Sequence, residues 1–314
     1  MSRRGGELAR RAHADGISIL EVGWGPSLDP RALWALRGAI RTFQPAIVHA
    51  HDSHALQLLA WARSLAGGAP GRPHLVATRR VDFHVRPGSV WRRADRVIAI
   101  SQAVRAVLVS DGLPADVITV IPSGIDRDEV VRAAAAPLDI RGRLGLAAET
   151  PLAVNVAALV DHKDQGTLIR AAHAARAARP DLHWAIAGAG ELRDALAHEI
   201  DHLSLGDRVH LLGYVAEADA LIREASVFVM SSKEEGLGSV VLHALALGTP
   251  VVATRGGGLP EMLPAECLVP VGDADALGAR VVAALAGAPR AALPARFTAS
   301  AMAADVLALY RSLA

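Results

Sequence analysis

The sequence is short of several features, and each shortage excludes a class of protein. It has one cysteine, Cys267, so no disulfide framework can form within the chain, which suits a reducing compartment. Its 33 basic and 32 acidic residues nearly cancel, so bulk charge gives no reason to expect a nucleic-acid partner. No apolar run reaches the roughly 18 residues of a transmembrane helix, and the basic start lacks the apolar segment of a secretory signal. We therefore expect a cytoplasmic protein.

Apolar residues are abundant. They make up 52% of 314 residues, enough for a sizeable core, and this length predicts two domains of about 100–200 residues each. Strand patterns alternate with helix patterns, which indicates α/β domains with parallel, doubly wound sheets. The predicted strands lie near residues 17–22, 46–50, 74–78, 96–100, 117–121, 152–157, 183–188, 208–212, 226–230, 250–254 and 266–269.

The alternation is interrupted once, which places a domain boundary near Asp126. The segment Pro122–Asp126 breaks the pattern, and a charged, alanine-rich connector follows to about residue 148. The pattern then resumes, and a last helix is predicted over Phe297–Leu313.

The chain is organised around one stretch, Val227–Glu261. A buried strand ends at Met230, and Gly236-Leu237-Gly238 follows as a turn in which backbone can approach a ligand closely. A helix, a second buried strand and a loop with three glycines complete the stretch. Because parallel strands end at the same edge of a sheet, both glycine loops are predicted to lie where α/β folds bind ligands.

The chemistry of this stretch suits a sugar nucleotide. Free N–H groups at a helix start favour phosphate, and Glu235 just before the helix can accept hydrogen bonds from hydroxyl groups. The alternative is an ordinary strand–helix–strand unit whose glycines only make turns.

The same stretch resembles the signature of the retaining glycosyltransferases of family four, which have the GT-B fold. That signature is E-G-[FL]-G, a helix with a second glutamate, G-x-P-V-V-A-T and G-G-x-x-E. The sequence has Glu235-Gly236-Leu237-Gly238, Gly248–Thr254 and Gly257–Glu261 in the matching places. One position departs: His243 stands eight residues after Glu235, where the family has its second glutamate.

The resemblance implies two Rossmann-like domains facing a cleft, with the donor on the C-terminal one. We expect a truncated acceptor-side domain over 1–126, a donor-binding domain over 127–296 and a helix over 297–314 that packs back toward the first domain. Family members usually open with a strand, a glycine-rich loop, a helix and a second strand. The first elements here resemble those that follow that unit, so we expect one strand–helix–strand piece to be absent.

The resemblance also implies roles for single residues. Glu235 and Lys163 are the expected catalytic residues, the first as ligand of the donor-sugar hydroxyls and the second as a positive charge on the diphosphate. An arginine in a Gly-Arg pair often precedes this lysine by five residues, and here the pair is Ala157-Ala158. From the residues alone, a lysine placed like Lys163 is usually a solvated surface residue, and a histidine placed like His243 is more often a structural group. The other expected donor-binding residues are Gly236, Leu237, Gly238, Ser239, His243, Gly188, Gly190, Tyr214 and Val215.

Polar residues also follow the predicted strands of the first half. The spacing of His49, His51 and His54 is poor for a metal site. We therefore expect these residues to contact the acceptor and to bind no metal. Two arginines stand where many relatives have a histidine near the donor sugar, and they could meet a phosphate or an acidic acceptor or be solvated. The expected acceptor-side residues are His51, Asp52, His54, Arg79 and Arg80.

The function implied is retaining transfer of a sugar from a nucleotide diphosphate sugar to an acceptor hydroxyl, in cell-surface polysaccharide or glycolipid synthesis. The nucleotide sugar is a co-substrate, and no cofactor is expected. The expected partners are this donor and a saccharide or lipid-linked acceptor. The sequence does not decide whether the protein also contacts the inner face of the membrane. One alternative is a degenerate GT-B protein that binds nucleotide sugar without turnover. Another is a GT-B epimerase or phosphorylase, which no motif for cofactor attachment or extra catalytic acids supports.

Overall fold

The computed structural model describes residues 2–23, 29–66, 72–86, 88–287 and 291–313. They fold as two compact units. The first comprises Met1–Ala99, Arg105–Val120 and Leu307–Ala314, and the second comprises Ile100–Val104 and Ile121–Val306. Each unit contains parallel strands with helices between them, so the predicted α/β class with two parallel-sheet domains is confirmed.

The first unit has a two-stranded and a four-stranded sheet. Its strands are β1 (Ser2–Arg3), β2 (Glu21–Val22), β3 (Ile47–Ala50), β4 (His74–Arg79), β5 (Arg96–Ala99) and β6 (Ile118–Val120). The helices of this part of the chain are α1 (Glu7–Ala14), α2 (Pro30–Phe43), α3 (Ser53–Leu65) and α4 (Gln102–Ser110). β1 pairs with β2, and the larger sheet has the order β3-β4-β5-β6. The strand predicted over 17–22 is shorter than expected, because only Glu21 and Val22 find a partner strand.

The second unit is built on a six-stranded sheet in the order β12-β11-β10-β7-β8-β9. Its strands are β7 (Leu152–Val156), β8 (His183–Ala187), β9 (Val209–Gly213), β10 (Val227–Met230), β11 (Val251–Thr254) and β12 (Leu268–Val269). The remaining helices are α5 (Arg127–Ala133), α6 (Ile140–Arg143), α7 (Gln165–Ala175), α8 (Arg193–His202), α9 (Ala218–Glu224), α10 (Ser239–Leu247), α11 (Ala274–Leu285) and α12 (Ala299–Leu313). All of these strands are parallel, so their carboxyl ends meet at one edge.

The centre of the six-stranded sheet is buried on both faces. Every residue of β10 and β11 is buried, which explains why these strands are continuous apolar runs rather than alternating ones. Helices α7 and α11 pack together against the sheet, and Trp184 and Val229 lie in the core between the layers. Each Å² of apolar surface removed from water contributes about 25 cal/mol to the free energy of folding. The burial of this core therefore stabilises the second unit.

The segment Pro122–Asp126 has a structural explanation. A Cβ on Gly124 would lie 2.1 Å from the carbonyl oxygen of Thr298, so only glycine allows this approach. Ile125 pairs with Thr298 in an isolated parallel bridge, and Asp126 caps α5 through the N–H groups of Asp128 and Glu129.

The charged, alanine-rich connector after Asp126 contains the short helices α5 and α6. One predicted feature needs correction. The predicted last helix is two pieces, a 3-10 turn at Ala295–Phe297 and then α12, since Thr298 is extended where it pairs with Ile125. Within the described ranges, no helix is both long and apolar enough to cross a membrane.

Candidate donor site

Lys163 and Glu235 form an ion pair at the carboxyl edge of the six-stranded sheet. Lys163 ends a 3-10 turn, Asp161–Lys163, after β7, and Glu235 lies in the loop after the adjacent strand β10. The Nζ atom of Lys163 is 2.5 Å from Oε2 of Glu235, and the two side chains are only 18% and 12% exposed. The sequence placed both residues at this edge, but it did not predict that they contact each other.

The two loops are also joined through their backbones. The buried Ser231 donates from Oγ to the carbonyl oxygen of Lys163 at 2.9 Å, and the N–H of Lys233 donates to the carbonyl oxygen of His162 at 2.9 Å. Lys233 makes a second, exposed ion pair with Asp161 at 3.0 Å. The Lys163 loop and the Glu235 loop are therefore held together independently of the buried pair.

The triple-glycine loop after β11 supports the backbone of Glu235. Gly257 has a φ of +52°, and a Cβ there would lie 2.0 Å from the carbonyl oxygen of Glu235. The N–H of Gly258 donates to that same oxygen at 2.7 Å. A side chain at Gly257 would push the Glu235 loop away, which explains this part of the motif physically.

Helix α10 starts directly after this loop without a side-chain cap. Its N-cap residue is Gly238, with a φ of +85°, and no side chain bonds the first N–H groups. A Cβ on Gly238 would come within 2.7 Å of Leu259. Leu237 and Gly238 are buried, while Ser239 is exposed at the first turn. An uncapped helix start next to Glu235 is a favourable place for phosphate oxygens.

His243 lies further along α10 and contacts a residue that the sequence did not single out. Its Nδ1 is 2.7 Å from Oδ1 of Asp219, which is in the first turn of α9. An ionised carboxylate can only accept, so Nδ1 carries the proton, and in the neutral imidazole Nε2 is left as an acceptor. No sequence pattern pairs these positions, because the contact depends on how α9 packs against α10.

The predicted glycines after β8 pack against the Lys163 loop. A Cβ on Gly188 would lie 1.8 Å from the carbonyl oxygen of Ala157, and one on Gly190 would lie 2.2 Å from that of Leu159. These glycines bring the loop after β8 against the loop that carries Lys163, which is a packing role beside the predicted donor role. Of the two residues predicted after β9, Tyr214 is 81% exposed and Val215 is partly buried.

The acceptor-side residues lie in the first unit and have structural roles as well. Asp52 caps α3 by accepting from the N–H of Ala55 at 2.7 Å. His54 lies in the first turn of α3 and is partly buried. Arg79 lies over the ring of Trp91 at 5.2 Å and donates to the carbonyl oxygen of Phe83 at 2.6 Å, and burial lowers its pKa.

His49 and His51, on either side of the end of β3, are in ring contact. Their centroids are 4.2 Å apart. His49 is hydrogen-bonded to the hydroxyl of Tyr310 at 2.5 Å and to that of Thr78 at 2.7 Å. Burial lowers the pKa of His49 to about 4, and burial together with the nearby Arg80 lowers the pKa of His51. Among the described residues no cluster of three metal-ligating side chains occurs.

The chain matches two family profiles. Residues 138–301 match glycosyl transferases group 1, and residues 2–129 match glycosyltransferase family 4. The first match covers more than half of the chain. The chain belongs to the glycosyl transferases group 1. The candidate donor site described above lies entirely within the region that this family defines.

Named relatives in this family include two bacterial enzymes. The GDP-mannose-dependent alpha-(1-6)-phosphatidylinositol monomannoside mannosyltransferase of Mycolicibacterium smegmatis is 34% identical over 177 residues, which are 54% of this chain and 46% of that protein. The lipopolysaccharide core biosynthesis glycosyltransferase LpsE of Rhizobium meliloti is 34% identical over 139 residues, 43% of this chain and 39% of that one. The matched region thus spans less than half the length of each of these two relatives.

Solved structures of glycosyltransferases share the fold. A glycosyltransferase from Rickettsia africae superposes with a TM-score of 0.79 over 99% of this chain and 89% of that one, at 15% identity. Anabaena HepE in complex with UDP and glucose superposes with a TM-score of 0.77 over 98% of this chain and 89% of that one, at 20% identity. The two parallel-sheet domains are therefore those of the GT-B glycosyltransferases.

Proposed function

We propose that this protein transfers a sugar from a nucleotide diphosphate sugar to an acceptor hydroxyl with retention of the anomeric configuration. The observation that carries the proposal is the Lys163–Glu235 pair beside the uncapped start of α10. A cation and a helix start suit a diphosphate, and the carboxylate of Glu235 suits the hydroxyls of the attached sugar.

In the proposed reaction the positive groups act on the leaving group. As the bond between the anomeric carbon and the phosphate oxygen breaks, the ammonium of Lys163 and the N–H groups of α10 stabilise the charge that develops on the diphosphate. The acceptor oxygen attacks the anomeric carbon from the face that the phosphate leaves. The departing phosphate oxygen takes the proton of the acceptor hydroxyl, so atoms and charges balance. These groups stabilise the diphosphate without requiring a metal ion.

Glu235 is proposed to select the sugar. Its carboxylate contacts Lys163, and a bound donor would give each partner a further contact, hydroxyls for Glu235 and phosphate for Lys163. Either side chain left without a partner at such low exposure would carry a desolvation cost, which favours a donor that satisfies both.

The context proposed is cell-surface polysaccharide or glycolipid synthesis. This is supported by the names of the relatives, one of which acts in lipopolysaccharide core biosynthesis and another of which mannosylates a phosphatidylinositol mannoside. The solved HepE structure contains UDP, whereas the mannosyltransferase uses GDP-mannose, so both donor types need to be tested.

A peripheral contact with anionic membrane is proposed for the exposed tryptophans of α2 and α3. Trp34 and Trp61 are 59% and 43% exposed, and an arginine lies over each ring, Arg37 at 4.9 Å and Arg93 at 4.6 Å. Helix α2 has no acidic residue in its sequence. Exposed tryptophan beside arginine is typical of surfaces at the level of lipid headgroups. Vesicles containing phosphatidylglycerol should sediment the protein, pure phosphatidylcholine vesicles should not, and replacing both tryptophans by alanine should abolish the difference.

A combined binding and transfer assay tests the proposed function. The protein is titrated calorimetrically with UDP, GDP, UDP-glucose and GDP-mannose, and a bacterial lipid extract is then incubated with each labelled donor. The expected result is binding of one nucleotide series and a labelled product whose anomeric configuration, read by NMR, matches that of the donor. Chelator should leave transfer unchanged. Binding without product would favour the non-catalytic alternative, and an inverted product would contradict retention.

A further inference from the structure

Ser101 contacts the loop of the candidate donor site. It is fully buried just before α4, and its Oγ donates to the carbonyl oxygen of Gly236 at 2.5 Å while it accepts from the N–H of Val104 at 3.0 Å. Ser101 belongs to the second compact unit, as Gly236 does. Because Gly236 follows Glu235 directly, Ser101 bonds the backbone next to the proposed sugar ligand.

Glu261 completes the cap of α4 from far away in the sequence. Its Oε2 accepts from the N–H of Gln102 at 3.0 Å, and its Oε1 accepts from the N–H of Ala103 at 3.2 Å. Caps normally come from the residue before the helix, yet Glu261 is 158 residues from Ala103. Its carboxylate also interacts favourably with the positive end of the helix dipole. The cap therefore joins the loop after β11 to the start of α4.

Gly258 shows how closely these segments pack. A Cβ on Gly258 would lie 2.8 Å from the carbonyl oxygen of Gly236 and 3.2 Å from Cβ of Ser101. The N–H of Gly258 also donates to the carbonyl oxygen of Glu235. A displacement of Ser101 or of the segment before Glu261 would therefore also displace the Glu235 loop.

We propose that Ser101 and Glu261 are positioning residues of the donor site. They hold the Gly236 carbonyl toward Ser101, and because the peptide bond is planar and trans, the N–H of Leu237 then points to the opposite side. This fixes the direction of the backbone that leads from Glu235 into the start of α10. The inference rests on the proposed function and concerns two residues that act through Gly236 rather than by touching the donor.

The chain offers matched controls at the other edge of the same sheet. Glu224 caps α6 in the same long-range way, accepting from the N–H groups of Leu138, Asp139 and Ile140. Ser226 accepts from the N–H of Leu152 at 3.1 Å at the amino end of β7. The test variants are Ser101→Ala and Glu261→Gln, and the controls are Ser226→Ala and Glu224→Gln.

The first measurement is amide hydrogen exchange, which does not depend on activity. In both test variants the exchange of residues 231–240 should speed up by about 3- to 10-fold, the effect of losing one net hydrogen bond. Neither control should change the exchange rate in that segment by more than about twofold, even if its melting temperature falls by as much as that of the test variants. Unchanged exchange in both test variants would overturn the inference.

The second measurement is donor kinetics with the nucleotide sugar that the wild type turns over. Ser101→Ala and Glu261→Gln should lower kcat/KM by about 3- to 10-fold, and the controls should stay within about twofold. Test variants with wild-type kinetics would show that the contacts are only structural. A wild-type protein without transfer would contradict the proposed function, while the exchange result would still decide the positioning of the loop.

Discussion

The Nζ atom of Lys163 lies 2.5 Å from Oε2 of Glu235, so the two proposed catalytic residues contact each other directly. Each neutralises the charge that the other presents at the edge of the sheet. A bare nucleoside diphosphate would have to compete with Glu235 for Lys163, whereas a nucleotide sugar offers hydroxyls to Glu235 at the same time. On the proposed function, the pair should therefore favour the intact donor over the product that leaves.

The missing family arginine leads to a gain-of-affinity prediction. Ala158 is exposed and precedes Lys163 by five residues, in the place where relatives often have arginine. Ala158→Arg should tighten binding of the nucleoside diphosphate by up to about tenfold, because a second cation joins Lys163. Calorimetric titration checks this, with Ala158→Gln as an uncharged control of similar length. Equal affinity in the two variants would show that position 158 does not face the diphosphate.

The contact between Asp219 and His243 predicts a second effect. Asp219→Ala should weaken nucleoside diphosphate binding by about 1 kcal/mol, since His243 would lose the hydrogen bond that orients its ring. The loss should disappear with the 2′,3′-dideoxy nucleotide, which lacks the ribose hydroxyls. A loss of the same size with both nucleotides would mean that His243 does not contact the ribose. His243→Glu alone should not restore the family contact, because two carboxylates would then face each other.

Two glycines with left-handed backbone provide a matched pair. Gly257→Ala should disrupt the donor site, because its Cβ would lie 2.0 Å from the carbonyl oxygen of Glu235, in addition to the strain at a φ of +52°. Gly248→Ala, at a φ of +71° with open space around the Cβ, should cost only about 1 kcal/mol of stability and leave nucleotide binding unchanged. Thermal unfolding and nucleotide titration of both variants check this. Equal behaviour would contradict the packing account of the glycine loop.

His49 predicts a pH dependence of stability. Its pKa is about 4 in the folded protein and 6.5 in the unfolded chain, so between these values the unfolded state binds more protons. Stability contributed by neutral His49 is therefore fully present above pH 6.5 and is lost as the pH falls toward 4, with an upper bound of about 3 kcal/mol. Denaturant unfolding from pH 7 to pH 4 should show a flatter slope for His49→Gln than for the wild type. Parallel slopes would contradict the burial of His49 as the cause.

Much of the fold was predictable because parallel strands buried on both faces leave an obvious pattern. The runs that became β7, β8, β10 and β11 could be located from their apolar residues and the glycines that follow them. Short elements were harder to predict from the sequence. β2 has only two paired residues, and the break at Thr298 depends on its bridge to Ile125, which is 173 residues away and leaves no local signal.

The site was predictable to the level of loops but not of contacts. Glu235 and the glycines of its motif could be found because their spacing reflects backbone packing, as Gly257 now shows. Asp219 and Ser101 could not be found, because each acts on a residue far away in the sequence. A serine just before a helix is a common cap, so the bond from Val104 to Ser101 leaves a local signal, whereas the bond from Ser101 to Gly236 leaves none.

The most direct test of the account compares Lys163→Ala and Glu235→Gln in calorimetric titrations with a nucleoside diphosphate and with its nucleotide sugar. Lys163→Ala should weaken both ligands by roughly 10- to 150-fold, the value of a charged hydrogen bond. Glu235→Gln should weaken only the nucleotide sugar and should leave the bare diphosphate bound as tightly or more tightly, because Lys163 is released. Lys233→Ala, which breaks the neighbouring exposed pair with Asp161, serves as the control and should change neither. Unchanged diphosphate affinity in Lys163→Ala would contradict the assignment of the donor site.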